Sequence, residues 1–377
     1  MRKILPLLIM SLCFFSAMAG NMQPGTIRPA AVTFMQGRCP GVTPASMELL
    51  AGKNQAVAGY LIHFIPSGFI VISASDKTAP VYAYSLESDF NPPVNEALSL
   101  KEMITEDLQN RILVYDRLPK EEQEKIAGRW KSFLNGNSDS PVFEQWPPQG
   151  TTTTGGWLKT NWTQTDPYNG MCPMDLNAGE RSIAGCPAIA MAQIVNYHRE
   201  INHTRFDTGD DYYHNFGSGN SFWIDDDYLS RGFPSYDTLN LWLDTLEAAY
   251  QINATLSASL KAALCFACGV AAHQVFSASV SGTYGLDQAY SAYQRFGFTG
   301  SRLISPDDTT LNSLIAGNVK VALPVHLGLI VSGGSGGHNV VVDGYNTDEF
   351  YHFNFGWGGQ ANGWYTIPPV NIPYNLT

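Results

Sequence analysis

The run Ala184-Gly185-Cys186-Pro187-Ala188-Ile189-Ala190-Met191-Ala192-Gln193-Ile194 constrains this chain more than any other segment. Pro187 has no backbone N–H to donate and suits the first position of a helix, where that donor has no partner anyway. The residues after it are sound helix formers, and Ala188 and Ala192 lie one turn apart, leaving room for a close neighbour. The pattern predicts a buried helix with Cys186 at its N-cap. The partial positive charge of a helix N-terminus favours a thiolate over a thiol. A cysteine that only fills core volume needs no such placement, so Cys186 is a candidate nucleophile.

The other cysteines read differently. Cys13 lies in an N-terminal segment with a basic start (Arg2, Lys3), an apolar run from Ile4 to Phe15, and Ala17-Met18-Ala19 as a small-x-small cleavage pattern. Residues 1–19 are therefore expected to be an export signal, leaving a secreted protein, extracellular or periplasmic, without membrane insertion after cleavage. Cys39, Cys172, Cys186, Cys265 and Cys268 remain, an odd set that points to a thiol kept free for chemistry. Cys265 and Cys268 are read as small buried hydrophobes, since one Cys-x-x-Cys with only His273 nearby is a poor zinc site. No metal or organic cofactor is expected. A net charge of −11 argues against nucleic acid, which requires a basic surface.

The order of patterns divides the chain. Tyr60–Phe64, Phe69–Ser73 and Val81–Ser85 read as strands separated by turn residues, and 98–134 reads as helix split by Pro119. Residues 135–156 carry Gly, Asn, Ser, Pro147-Pro148 and a polar run from Thr151 to Gly156, the composition of an exposed linker open to proteolysis. A mixed helix and strand pattern, rich in Gly, Tyr and Trp, follows to the C-terminus. The reading is an α+β chain with a signal at 1–19, an N-terminal unit at 20–150 and a second unit at 151–377.

A cysteine nucleophile needs a base brought close by the fold. Of eight histidines, His338 stands out. It follows the glycine-rich Ser332–Gly337 and opens the strand-like Val340-Val341-Val342-Asp343-Gly344. His326 and His352 lie in other strand-like runs, His198 and His203 near the end of the cysteine's helix, and His63 in the N-terminal unit. His338 lies 152 residues after Cys186, and Asn354 sixteen further on along the next strand. That order and spacing suit a papain-like nucleophile, base and orienting amide.

These residues resemble the streptopain-type (interpain-like) cysteine peptidases of the papain clan. Gly185 to His198 is similar to that family's nucleophile helix, Gly337 to Gly344 to its histidine strand, and Phe350 to Gly359 with Gly363-Trp364-Tyr365 to the strand and glycine turn after it. Upstream, Gly68 to Asp76 resembles the signature strand of the family's propeptide. The resemblance implies a papain-like catalytic domain of two subdomains, one helical and one of antiparallel strands, preceded by an α+β propeptide that occludes the cleft. It also implies protein or peptide substrates, with the chain's own propeptide as intramolecular inhibitor. Two positions depart from the pattern. Phe355 stands where the family has Trp after Asn354, so Asn354 orients His338 with Trp357 shielding it, or the 355–357 region does so. Glu180 stands six residues before Cys186, where papain-like enzymes place an oxyanion-hole glutamine, and Gln164 is taken as the substitute donor.

The expected function is that of a secreted cysteine endopeptidase made as a zymogen, hydrolysing peptide bonds through a Cys186–His338 pair. The competing readings are a cysteine amidase or transpeptidase acting on cell-wall peptides, and a non-catalytic secreted binding protein on the same fold.

Overall fold

The computed structural model describes residues 22–52, 55–136, 142–217, 219–330 and 337–368. The expected export signal, part of the expected linker (137–141) and most of the glycine-rich run before His338 (331–336) lie outside those residues. The chain opens with helix α1 (Pro24–Arg38), strands β1 (Thr43–Ala51), β2 (Val57–Ile65), β3 (Phe69–Ser73) and β4 (Val81–Ser85), then α2 (Val94–Val114) and α3 (Lys120–Leu134). Strand β5 (Gln145–Trp146) and the short pair β6 (Met174–Asp175) and β7 (Glu180–Arg181) lead to α4 (Cys186–His198). A ribbon of β8 (Tyr212–Asn215) and β9 (Ser221–Ile224) precedes α5 (Tyr228–Arg231), α6 (Tyr236–Gln251), α7 (Ala258–Ala271), α8 (Leu286–Arg295) and α9 (Leu311–Lys320). The final strands are β10 (Val325–Ile330), β11 (Gly337–Asn346), β12 (Tyr351–Asn354) and β13 (Gly363–Tyr365). This is the α+β class expected, with Pro119 separating α2 from α3. Helix α1 was not expected: its buried face, Ile27, Ala30, Ala31 and Met35, is punctuated by Pro24 and Pro29, which mask the helical period.

One antiparallel sheet runs through both halves of the chain in the order β1-β2-β3-β4-β13-β12-β11-β10, with β5 also paired to β11. The junction is β4 on β13, where Tyr84 faces Trp364 and Ala83 faces Tyr365. Strand β3 is buried along its whole length because helices cover both faces. Ile70 and Ile72 pack with α1 and α3, while Phe69 and Val71 pack with α2. That accounts for a continuous apolar run rather than an alternating one. Strand β11 is sandwiched in the same way. Val341 joins the core built on α4 and α7, and Val340 and Val342 join the core with Ile315 and Val319 of α9.

Side chains reinforce the junction. Arg111 donates to the Thr366 hydroxyl at 2.9 Å and its carbonyl at 3.1 Å, and Asn346 donates to the Tyr84 hydroxyl at 3.2 Å. Arg38 pairs with Asp348 at 3.0 Å, while Lys125 and Arg129 both pair with Glu349 at 2.7 Å. Burial opposes ionisation of Glu349, but Arg129 and Lys125 outweigh it and hold its carboxyl below the ordinary 4.5. A depressed carboxyl pKa contributes stability that is complete above the ordinary value and is lost as pH falls through the lowered one. Acidification below about pH 4.5 should therefore loosen α3 from the 348–349 turn. Amide exchange in α3, corrected for intrinsic rates, should accelerate relative to α7. Glu349→Gln should flatten that dependence, and an unchanged dependence would contradict the assignment.

The segment 154–156 departs from the exposed linker expected of it. Thr154, Gly155 and Gly156 are buried. A β-carbon on Gly156 would collide with the Asp343 carboxylate, which accepts from the Leu158 N–H at 2.8 Å and meets His352 Nδ1 at 2.7 Å. Gly156, which reads as flexible, is here because a buried carboxylate needs the space.

Candidate active site

Cys186 is the first residue of α4, one position inside the expected N-cap, and Gly185 is the cap itself at φ 84°. A β-carbon on Gly185 would lie 2.8 Å from the Ser281 carbonyl oxygen and 2.9 Å from Gln274 Nε2. Gln274, fully buried, donates to the Ala184 carbonyl at 2.7 Å and so fixes the turn from the other side. The left-handed φ and the backbone contact both require glycine immediately before Cys186. Gly185→Ala should destabilise the protein by about 1–3 kcal/mol. A thermal unfolding midpoint equal to wild type would contradict this account of the turn.

Cys265 and Cys268 are buried, as the sequence predicts, and Cys172 joins them. Burial pushes Cys172 up to about 12, offset only in part by Arg181, and raises Cys265 and Cys268 above the ordinary thiol value. Such thiols are inert. Cys186 is half-buried at a helix N-terminus, and the Asn339 side-chain N–H reaches its sulfur at 3.6 Å.

His338 lies near the start of β11. Its Nε2 is 2.8 Å from the Phe355 carbonyl oxygen, and its ring is 4.4 Å from Trp357 and 6.0 Å from Phe355, centroid to centroid. A carbonyl can only accept, so Nε2 carries the proton and a neutral imidazole has its lone pair on Nδ1. The orienting group is thus a main-chain carbonyl at position 355. This explains why Phe355 can stand where the resemblance leads one to expect Trp: any side chain there presents the same oxygen.

Asn354 does a different job. Its Oδ1 accepts from Gln193 Nε2 at 3.2 Å and the Gly356 N–H at 3.0 Å, and its Nδ2 donates to the Thr160 carbonyl at 2.9 Å. Gln193, on α4 two turns past Cys186, also accepts from the Thr160 hydroxyl at 2.8 Å. The amide pair therefore clamps α4, the 354–356 turn and the 160–162 loop together. That loop leads to Gln164, which is buried and whose carbonyl accepts from the Ala184 N–H at 2.8 Å, two residues before Cys186. Glu180 is exposed on β7. Trp357 is buried over His338, and its indole N–H has no acceptor among the described residues. Gln193 and Asn339 were missed from sequence. The available signal for Gln193 was an amide within a nine-residue buried stretch of helix.

The fold and the site define a papain-like cysteine peptidase: a thiol at the start of a buried helix, a histidine on the facing antiparallel sheet, and an asparagine on the adjacent strand. Comparison with known proteins agrees. Residues 162–365 match the Peptidase C10 family. Streptopain of Streptococcus pyogenes is 24% identical over 340 residues, covering 85% of this chain and 76% of that protein. The thiol protease/hemagglutinin PrtT of Porphyromonas gingivalis is 22% identical over 96% of this chain, which spans 40% of PrtT. Among solved structures, a prointerpain A fragment of Prevotella intermedia superposes with a TM-score of 0.54 at 23% identity, covering 86% of this chain and 93% of the fragment. The chain belongs to the Peptidase C10 family and is a cysteine-type peptidase.

Proposed function

We propose that this protein is a secreted cysteine endopeptidase made as a zymogen, with Cys186 as nucleophile and His338 as base. The observation that carries the chemistry is the Nε2–H of His338 held by the Phe355 carbonyl, which leaves Nδ1 to accept a proton. The Cys186 thiolate attacks a peptide carbonyl, and the tetrahedral oxyanion is held by the Cys186 backbone N–H with Gln164 as side-chain donor. The imidazolium of His338 gives its proton to the leaving amine. Water, deprotonated by His338, then hydrolyses the thioester and regenerates the thiol. Trp357 shields the imidazole from solvent, and Asn354 positions the turn that carries the orienting carbonyl.

The zymogen reading rests on how the N-terminal segment is tied to this histidine. A chain of aromatic contacts runs from Phe90 to Phe69 (5.1 Å), Tyr365 (6.3 Å), Phe355 (5.3 Å), Trp357 (4.8 Å) and finally His338 (4.4 Å). Removing residues 20–150 would strip β4 from β13 and uncover that cluster, changing the support of the base. Burial of 154–156 and the pairing of β5 with β11 favour an activating cut elsewhere within about 135–153. Incubated with casein, purified precursor should show a lag, and the active material should begin within that region. Full activity without a lag, from chain beginning near residue 20, would refute the zymogen while leaving the peptidase intact.

A further inference from the structure

We infer that Asn339 acts directly on the Cys186 thiolate, held in its working orientation by His326 and Tyr293. The inference rests on Cys186 being the nucleophile. It concerns a side chain on β11 and two partners from β10 and α8 that the hydrolytic steps above do not use.

The geometry forms a single directed chain. Asn339 Nδ2 lies 3.6 Å from Cys186 Sγ, Asn339 Oδ1 lies 2.8 Å from His326 Nε2, and His326 Nδ1 lies 3.1 Å from the Tyr293 hydroxyl. A thiolate can only accept hydrogen bonds, so the amide must present its NH2 group to sulfur. Its oxygen then faces His326, which must carry its proton on Nε2 to donate. His326 Nδ1 is left as an acceptor for the Tyr293 O–H. Each link dictates the next, and no link has a free choice of direction once the sulfur is charged.

The surroundings suit this role. Although the residue is only half-buried, desolvation holds His326 well below its ordinary value, at about 4, with the Asn339 contact opposing. The imidazole is therefore neutral, which is the state able both to donate from Nε2 and to accept at Nδ1. Tyr293 is buried and sets an edge against the His326 ring at 5.8 Å and 86° between planes. A hydrogen bond to a charged group stabilises that charge, so the relay favours the reactive form of the nucleophile. Asn339 touches the reacting sulfur, and His326 and Tyr293 act through it as positioning residues.

The test is the rate at which iodoacetamide alkylates Cys186 in the full-length chain at neutral pH, with adducts located by mass spectrometry and Cys39 as internal reference. Asn339→Ala should slow alkylation of Cys186 about tenfold, the worth of one hydrogen bond to a charged group. The isosteric Asn339→Asp, which replaces the donor by a carboxylate, should slow it further. His326→Leu should give most of the same loss, while His326→Gln, which keeps a donor for the Asn339 oxygen, should restore it. In the double variant Asn339→Ala/His326→Leu the effects should not add, because His326 works only through Asn339. Additive losses, equal losses in His326→Leu and His326→Gln, or an unchanged rate in Asn339→Asp would each overturn the relay. Failure of the peptidase reading looks different: Cys186→Ala would still cleave casein.

Discussion

Replacing Cys186 with alanine should yield a folded precursor that neither matures nor cleaves protein, with activity down by roughly 10⁴-fold or more. Folding should survive. The side chain is half-buried at the first position of α4, where alanine is a better helix former, and the substitution takes away the sulfur that accepts from the Asn339 N–H. What disappears is the one thiol among the described residues that stands at a helix N-terminus. Cys265→Ala provides the contrast. That side chain is fully buried among apolar neighbours, so its loss should cost about 1–2 kcal/mol of stability and no chemistry. Casein cleavage and thermal unfolding measured on both variants separate the two effects. Retention of more than a few per cent of wild-type turnover by Cys186→Ala, in a preparation free of other proteases, would remove Cys186 as nucleophile.

His338→Gln should be nearly as damaging, for a reason distinct from packing. Glutamine can keep a donor toward the Phe355 carbonyl but offers no group that takes up and returns a proton near neutral pH. Loss of a general base costs about 10²–10⁴-fold, and more where the nucleophile also depends on it for ionisation. His352→Ala should fail in another way. His352 and Asp343 are buried at 2.7 Å from one another, and removing one partner strands the other, a loss of about 3–5 kcal/mol. The expected outcome is a protein that melts early, but whose folded fraction still reacts with a thiol-directed inhibitor. If folded His338→Gln turned over casein at wild-type rates while folded His352→Ala did not, the two histidines would have to exchange roles.

Much of this was legible because the relevant signals are local. Pro187 after Cys186, with a run of helix formers behind it, marks the start of α4 within one residue. Phe69–Ser73 and Val81–Ser85 coincide with β3 and β4 because β-branched and aromatic residues fill them and turn residues bound them. The glycine-rich run before His338 and the valines after it mark the start of β11. What stayed hidden depends on partners distant in sequence. The pairing of Tyr84 with Trp364 joins strands that no local pattern relates, so the continuity of the sheet was not foreseen. The orienting group on His338 is a main-chain oxygen, and a backbone atom leaves no mark in side-chain identity. Asn339 looked like an ordinary strand residue until β10 and α8 brought His326 and Tyr293 to it. Gly155 and Gly156 read as linker because the buried carboxylate of Asp343, which demands the lack of a side chain at Gly156, comes from β11.

The central claim is that the thiol at the start of α4 performs peptide hydrolysis. The most direct measurement is to incubate the precursor with casein in the presence and absence of an epoxide inhibitor directed at reactive thiols, and to map the adduct by mass spectrometry. The account predicts cleavage without inhibitor, none with it, and one adduct per chain on the peptide containing Cys186, absent from Cys172, Cys265 and Cys268. Casein cleavage that persists with Cys186 fully modified, or inhibition that maps to another cysteine, would contradict it.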